Sequence, residues 1–312
     1  GRVEVVGRRL QEAGVRQALV VTDAGVRAAG LLPAVTGSLA SAHIEHMIFA
    51  EAVPNPTLDN VRRALRLLHE SGAEAVVALG GGSVIDVGKV VAAAARNPGD
   101  LEDLAGWQRF REPAVPLVAV PTTAGTGSEV SQYAVITGER QRRKLVYGGP
   151  QLLATWAVID PELTHTLPPE QTAATGMDAL THAIEALVAR GASELSTQLA
   201  LDAIARIARH LPRAVSDGAD ADAREQMCYA QMLAGIAFSN AGLGAVHALA
   251  HQLGAVCDIT HGVANAVVLP AVIEYNAPVA AEAYARAAVA FGASGDAAAL
   301  AQRVRQLHAE LG

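Results

Sequence analysis

The chain has 312 residues, enough for two domains of ordinary size, and its 51% hydrophobic and 18% charged composition excludes a disordered protein. A formal net charge of −7 disfavours general nucleic-acid binding, which needs a basic face. The two cysteines, Cys228 and Cys257, cannot build a disulfide framework, and we find no apolar run long enough to cross a bilayer. These properties predict a cytoplasmic protein with neither a nucleic-acid nor a membrane partner.

The first half of the chain alternates short apolar segments with helical ones. The apolar segments end at polar residues, glycine or proline, and they predict buried strands at 17–22, 44–49, 74–79 and 116–120. Helical patterns occupy the stretches between them, such as 58–71 and 84–96. This alternation is typical of a parallel sheet covered by helices on both faces, in which ligands bind at the carboxyl ends of the strands.

The second half is rich in alanine, and no segment in it has the pattern of a strand. It predicts helices at 169–189, 193–210, 222–238, 241–256 and 278–291. The fold class is therefore an α/β N-terminal domain with a parallel, Rossmann-like sheet, followed by an all-α C-terminal domain. We expect the boundary between them near residue 165.

Two glycine-rich segments follow predicted strands directly. Gly80-Gly81-Gly82-Ser83 opens a helix, whose first backbone N–H groups can bind a phosphate, and Ser83 can cap that helix or bind a phosphate oxygen. The segment 121–129 follows the next apolar strand. A tight turn is the alternative for any glycine run, but the position at a strand's carboxyl end favours a nucleotide site with two walls.

Asp23 follows the first strand. An acidic side chain there can accept hydrogen bonds from an adenosine ribose and would repel a 2′-phosphate. The alternative is a turn in which the Asp23 side chain bonds the backbone close to Gly25.

Asp178 and His182 are four residues apart in a helical segment and therefore share one face of the helix. The neighbouring residues are small and apolar, so we expect this face to be buried. A buried carboxylate needs a partner, which a cation supplies. A simple hydrogen bond between Asp178 and His182 is the alternative. Glu185, one turn farther on, is expected at an exposed helix position.

A second group of histidines makes the cation the better interpretation. His247 and His251 are again four residues apart, and His261 follows. A protein core rarely uses so many imidazoles for packing alone. One carboxylate with two or three imidazoles suits Fe(II), Zn(II) or a similar divalent ion. The spacing leaves open which of the three histidines bind it.

These residues lie in segments that resemble the iron-containing (group III) alcohol dehydrogenases over nearly the whole chain. Within that family the sequence is similar to the lactaldehyde reductase, or propanediol oxidoreductase, type. The segments that carry the resemblance are Val53-Pro54-Asn55-Pro56-Thr57, Gly80-Gly81-Gly82-Ser83, Pro121-Thr122-Thr123-Ala124-Gly125-Thr126-Gly127-Ser128-Glu129, residues 174–185, and residues 238–265 with their three histidines. These segments occur here in the same order as in the family, and together they make the resemblance specific.

The resemblance implies that Asp178, His182, His247 and His261 are the metal ligands. It implies one divalent ion, Fe(II), with Zn(II) as the alternative. His251 then corresponds to a pocket histidine that is not a ligand, and we expect it to be a catalytic proton relay. The resemblance also implies that three residues line the substrate pocket, namely Gln132, Ala134 and Phe238.

The cofactor implied by the resemblance is NAD, which an aspartate at position 23 would favour over NADP. The expected cofactor-binding residues lie in the first half of the chain, and they are Asp23, Gly80, Gly81, Gly82, Ser83, Asp86, Thr122, Thr123, Thr126, Ser128 and Lys144. The implied architecture is the dehydroquinate synthase-like fold, with a dinucleotide-binding domain at 1–165 and a metal- and substrate-binding domain at 166–312. Family members carry a further N-terminal strand and a further C-terminal helical segment that this sequence does not show.

The implied activity is hydride transfer between NAD(H) and a small primary alcohol or diol, or the corresponding aldehyde. The partners are then a small-molecule alcohol or aldehyde and further copies of the chain in a homodimer or larger homo-oligomer. A glycerol dehydrogenase-like or sugar-phosphate cyclase-like enzyme is one alternative. A nucleotide-sensing protein with a structural metal and no turnover is another.

Overall fold

The computed structural model describes residues 1–140, 143–257 and 259–312, with backbone alone at residues 255 and 256. The chain divides into two compact units. The sheet unit comprises Gly1–Thr122 and Ser128–Leu163, and the helical unit comprises Thr123–Gly127 and Thr164–Gly312. The short segment Thr123–Gly127 thus groups with the helices, a detail that a single boundary near residue 165 did not include.

The sheet unit contains a five-stranded parallel sheet in the order β2-β1-β3-β5-β8 and a three-stranded sheet in the order β4-β7-β6. The four predicted strands are β1, β2, β3 and β5, each within two residues of the predicted start and three of the predicted end. The small sheet, in which β6 and β7 are antiparallel, was not predicted. The strands are β1 Gln17–Asp23, β2 Glu45–Ala52, β3 Ala75–Gly80, β4 Gly106–Trp107, β5 Leu117–Pro121, β6 Tyr133–Thr137, β7 Lys144–Gly148 and β8 Trp156–Ala157.

Helices cover both faces of the parallel sheet, as the continuous apolar strands predicted. Alternate residues of β3 enter two separate cores: Val76 packs with α4 and α5, while Val77 packs with α1 and α3. All six residues of β3 are buried. The helices of this unit are α1 Val5–Glu12, α2 Ala24–Ala28, α3 Leu32–Ser41, α4 Leu58–Ser71 and α5 Gly82–Ala94.

The described residues of the helical unit form six helices. They are α6 Pro169–Val188, α7 Glu194–Ser216, α8 Ala221–Ala241, α9 Ala245–Cys257, α10 His261–Ala290 and α11 Ala297–Leu311. The sequence predicted α6, α8 and α9 closely. It ended α7 six residues early, predicted only residues 278–290 of α10, and gave no bounds for α11.

The error in α10 has a physical cause in its prolines. Pro270 and Pro278 lie inside the helix, and proline usually ends or kinks one. The backbone departs from helical geometry only at Ala280, so the two arms of the helix continue across the kink. Pro212 is likewise contained within α7.

One described helix, α10, is apolar and long enough to meet the length and composition of a membrane span, and α8 with residues 245–254 meets them as a bent pair. This test rests on mean hydropathy, and Glu274 and Asn276 interrupt the apolar residues of α10, so the expectation of no continuous apolar run is not contradicted. In the helical unit α10 packs against α6 and α11, and α8 packs against α6 and α7.

Candidate metal centre and cofactor loops

One face of α6 carries three ionisable residues in an apolar environment. Asp178, His182 and Glu185 follow one another at helical spacing and are 4%, 5% and 3% exposed. The opposite face of α6 is closely packed as well, because a Cβ on Gly176 would lie 2.2 Å from Leu211 of α7. Charged groups buried to this degree require compensating partners.

Two further helices bring histidines to Asp178. His247 lies in the first turn of α9, and His261 is the first residue of α10. The Nε2 atoms of His182, His247 and His261 are 3.9, 3.7 and 3.6 Å from Oδ1 of Asp178. These separations are too long for direct hydrogen bonds, but they suit groups that share one cation as ligands.

The donor set fits a divalent cation. Ligand atoms of Asp178, His247 and His261 all lie within 4.8 Å of one another. The imidazole of His182 is the third that faces the carboxylate of Asp178. One carboxylate with imidazole nitrogens is a set that Fe(II) and Zn(II) both accept. Asn265 points its amide into this group, and its buried Oδ1 has no hydrogen-bond partner among the described residues.

Asn265 was missed by the sequence analysis. Its Nδ2 donates to Oδ1 of Asp178 at 2.6 Å and lies 3.3 Å from Nε2 of both His247 and His261. Asn265 follows His261 by one helical turn on α10, and this spacing was the signal that could have revealed it. Asn265 therefore contacts side chains of the cluster that come from α6, α9 and α10.

The charges of the cluster shift the ordinary pKa values of its members. Burial would raise the pKa of Asp178, but the charges of His182 and His261 hold it well below its usual range. Burial lowers the pKa of His182 to about 4. Burial opposes protonation of His247 as well, but the charge of Asp178 and the hydrogen bond to Glu185 raise its pKa to about 9. The cluster therefore favours an ionised Asp178.

Glu185 is not exposed, so the expectation for this residue was wrong. Its Oε2 accepts a hydrogen bond from Nδ1 of His247 at 2.5 Å, and its Oε1 accepts one from the backbone N–H of Val246 at 2.7 Å. Burial alone would raise the pKa of Glu185, but the hydrogen bond and charge of His247 lower it. The position of Glu185, seven residues after Asp178, puts it on the buried face that Asp178 and His182 define.

His251 lies beside the cluster. Its ring centroid is 5.2 Å from that of His261 and 6.2 Å from that of His247. Phe238 of α8 covers the opposite side, because its ring stacks on His182 with the centroids 4.4 Å apart. The structure thus brings together Asp178, His182, His247, His251, His261 and Phe238 within the helical unit.

The glycine-rich segment at 80–83 lies at the carboxyl edge of the parallel sheet. Gly80 ends β3 beside Pro121 of β5, and the N–H of Thr122 donates to the carbonyl of Gly80 at 3.0 Å. The N-cap of α5 is Gly81, with no side-chain capping bond, so Ser83 lies in the first turn and is not the cap. The first turn of α5 therefore has the backbone that a phosphate needs, as predicted for this segment.

The second segment is divided between the two units. Thr122 and Ser128 belong to the sheet unit, and Thr123 and Thr126 belong to the helical unit. Within the helical unit, Gly125 approaches α6 so closely that a Cβ would lie 2.3 Å from the carbonyl of Thr175.

Two predicted cofactor residues are held in hydrogen bonds within the protein. Asp86, whose pKa burial raises, accepts from Oγ of Ser128 at 2.6 Å and from the backbone N–H of Val135 at 2.8 Å. Lys144 donates from Nζ to Oδ1 of Asn55 at 2.7 Å and to Oγ1 of Thr137 at 3.2 Å. Their direct contact with a cofactor stays a prediction.

Asp23 caps α2. Its Oδ1 accepts from the N–H of Val26 at 2.7 Å, which is the local bonding that the turn interpretation expected. A carboxylate that caps through one oxygen retains a negative charge at the end of β1. The two interpretations of Asp23 are therefore compatible.

The predicted pocket residues Gln132 and Ala134 lie in the sheet unit. Gln132 is half-buried between Ser131 and Tyr133, whose carbonyls both accept from Nζ of the buried Lys89, at 2.8 and 2.7 Å. Ala134 is 1% exposed and belongs to the hydrophobic core, a position that gives its predicted pocket role no structural support.

Comparison with known proteins identifies the family. Residues 1–161 match the iron-containing alcohol dehydrogenases, and residues 172–312 match the C-terminal part of the Fe-containing alcohol dehydrogenase family. The chain belongs to the iron-containing alcohol dehydrogenase family. The predicted family and fold class are thereby confirmed, and the protein is an oxidoreductase of this family.

Individual members of the family are similar over most of the chain. The NAD-dependent methanol dehydrogenase of Bacillus methanolicus is 41% identical over 94% of this chain and 77% of its own length. The lactaldehyde reductase of Escherichia coli K12 is 42% identical over 91% of this chain and 74% of its own. A crystal structure of 1,3-propanediol oxidoreductase, 42% identical, superposes with a TM-score of 0.96 over 99% of this chain and 83% of that one.

Proposed function

We propose that this protein transfers hydride between NAD(H) and a small primary alcohol or diol, or the corresponding aldehyde. We further propose that one divalent metal ion, Fe(II), is held by Asp178, His182, His247 and His261. The observation that carries this proposal is the convergence of three imidazoles, from three helices, on one buried oxygen of Asp178. The family membership and the NAD dependence of the methanol dehydrogenase relative support it.

The metal and the cofactor each supply a distinct chemistry when bound. A divalent ion polarises an alcohol or carbonyl oxygen and lowers the pKa of the alcohol. The nicotinamide accepts or donates the hydride. The work of the protein is to bind, orient and exclude water around the reacting groups.

Side chains of the helical unit perform these tasks in the proposed reaction. The ligand groups bind the ion, and Phe238 shields one face of His182 from water. His251 is adjacent to His261 without sharing the carboxylate contact of the ligands, and we assign it to hold and release the proton of the alcohol. Gly80 to Ser83, with the first turn of α5, are assigned to bind the cofactor's phosphates through their N–H groups.

The wider predictions follow the family resemblance. We propose a homodimer or larger homo-oligomer in the cytoplasm, with NAD preferred over NADP because of the charge of Asp23. Zn(II) is the alternative occupant, because the same donors bind it.

The decisive experiment is an NADH oxidation assay with a panel of small aldehydes. The purified protein would be loaded separately with Fe(II) and Zn(II), and the initial rates compared with those of chelator-treated protein. Metal-dependent oxidation of NADH supports the proposal. Stoichiometric NADH binding without turnover on any aldehyde would instead support a nucleotide-sensing protein.

A further inference from the structure

The two outer nitrogens of the buried imidazoles differ in their surroundings. Nδ1 of His247 is bonded to Glu185, whereas the buried Nδ1 of His182 has no hydrogen-bond partner among the described residues. The imidazole of His247 therefore differs from that of His182 in having a carboxylate bonded to its Nδ1. Nε2, the other nitrogen of His247, faces Asp178 at 3.7 Å.

We propose that Glu185 is a positioning residue that fixes His247 in the tautomer and ring orientation that bind the metal. The proposal rests on the function proposed above, since it takes His247 as a ligand. An ionised carboxylate only accepts hydrogen bonds, so the proton between Glu185 and His247 is on Nδ1. When a metal displaces the second proton of the ring, the proton on Nδ1 stays and the lone pair of Nε2 is available to the metal, which is the form of imidazole that binds one.

Both oxygens of Glu185 are needed for this arrangement. Oε2 accepts from His247, and Oε1 accepts from the N–H of Val246 at 2.7 Å, in the first turn of α9. The same carboxylate therefore caps the helix that carries His247 and orients the ring of His247. A glutamine has one acceptor and one donor group, so it can satisfy only one of these two contacts.

Gly244 gives the carboxylate room to approach α9. A Cβ at this position would lie 2.9 Å from Oε1 of Glu185, and the next atom of the side chain would be 3.5 Å away. An alanine at 244 would thus crowd the carboxylate without removing its charge.

The size of the side chain also matters for the choice of variant. A cavity of about 60 Å³ lies against Glu185, lined also by Val246, Leu269, Asn276 and Tyr284. Truncation of Glu185 would enlarge this cavity and destabilise the packing for a reason unrelated to His247. Glu185→Gln keeps the volume and changes the charge and the hydrogen bonding.

The test measures the affinity of the full chain for Zn²⁺ by competition with a chromogenic chelator. We expect Glu185→Gln to weaken binding roughly 10- to 100-fold, the usual effect of removing a carboxylate behind a ligating histidine. Glu170→Gln, at an exposed position in the first turn of the same helix, removes an equal charge and should change the affinity less than about twofold. The absorption spectrum of the Co²⁺ form should change in Glu185→Gln and not in Glu170→Gln.

A double-mutant cycle tests whether Glu185 acts through His247. In a His247→Ala background, Glu185→Gln should cause no further loss of affinity, because the imidazole that it orients is gone. An equal loss in both backgrounds, or wild-type affinity in Glu185→Gln itself, overturns the proposal. Unchanged affinity in His247→Ala alone would instead reject His247 as a ligand, and with it the proposed metal centre.

Stability is measured separately so that misfolding is not taken for the expected result. Each variant is unfolded with urea in the presence of excess chelator. The free energy of unfolding then reports the effect of the substitution on the metal-free protein, including the loss of the helix cap. If Glu185→Gln does not fold, Gly244→Ala takes its place, because it keeps the carboxylate and displaces it. Wild-type Zn²⁺ affinity in a folded Gly244→Ala variant would also overturn the proposal.

Discussion

Gly262, the second residue of α10, lies against Ala174 of α6 so closely that a Cβ would be 2.0 Å from the Ala174 carbonyl oxygen. The obstacle is backbone, so it cannot rotate away. This approach determines how near His261, the preceding residue, comes to Asp178.

The first prediction concerns this contact. Gly262→Ala should force α10 away from α6, lower the free energy of unfolding by about 1–3 kcal/mol, and weaken metal binding. Gly254→Ala is the matched control, since among the described residues the nearest atom outside its own helix turn, the carbonyl oxygen of Ile259, would be 3.5 Å from a Cβ there. The control should be neutral or gain up to about 1 kcal/mol from helix propensity. Equal stability of the two variants in urea unfolding would show that the close contact is unimportant.

The second prediction concerns His261. His261→Ala removes a proposed ligand and should lower the affinity for Zn²⁺ roughly 100-fold or more, with loss of turnover. His261 is 40% exposed on its side chain, so its removal should disturb packing less than removal of the buried His182 would. Elemental analysis after gel filtration gives the metal content. Full occupancy with wild-type rates would exclude His261 as a ligand.

The third prediction separates the relay from the ligands. His251→Ala should keep its metal, because His251 lies beside the cluster and is not one of the groups facing Asp178. Its turnover should fall roughly 100-fold, the usual contribution of a general acid–base group. Rates would be measured across the pH range together with metal content. Loss of metal from this variant would mean that His251 is a ligand.

The fourth prediction tests Asp23. Asp23→Gly removes the charge that would repel a 2′-phosphate, a repulsion on the order of 1–3 kcal/mol. The NADP/NAD ratio of kcat/KM should therefore rise roughly tenfold or more. Asp23→Asn is the sharper variant, because asparagine keeps the cap on Val26 and loses only the charge. A ratio that rises in Asp23→Gly and stays constant in Asp23→Asn would assign the effect to the cap.

The fifth prediction concerns substrate size. Phe238 stacks on His182, and we expect it to restrict the site to short substrates such as a propanediol or lactaldehyde. The kcat/KM for these should exceed that for a long primary alcohol or a sugar phosphate, and Phe238→Ala should narrow the difference for the long alcohol. Highest efficiency with the sugar phosphate would favour the cyclase-like alternative.

The sequence predicted the parts of the fold that depend on local pattern. Buried parallel strands are continuous apolar runs, so β1, β3 and β5 were recognised from composition alone. The strands β6 and β7 were missed because they are short and not continuously apolar. Partly exposed residues, such as Tyr133 in β6 and Lys144 in β7, interrupt their buried residues. Their pairing is a property of two segments together, and no single segment reveals it.

The same distinction applies to the candidate site. Asp178 and His182 could be predicted from their spacing on one helix. Glu185 was expected to be exposed, because the helix that buries it, α9, is distant in sequence. Asn265 was missed although its spacing of one helical turn after His261 is visible in the sequence. Long-range packing decided the burial of Glu185, which only the three-dimensional arrangement shows.

The arrangement of the cluster also bears on how long the protein survives. Asp178 lies on α6, far from the consecutive helices α9 and α10 along the chain, so an ion bound by Asp178, His247 and His261 would crosslink these distant segments in the manner of a disulfide. An ion that binds only the native chain protects it from local opening by mass action. Loss of the ion would then expose α9 and the start of α10 to proteases, so that iron starvation would shorten the lifetime of the polypeptide as well as stop its chemistry.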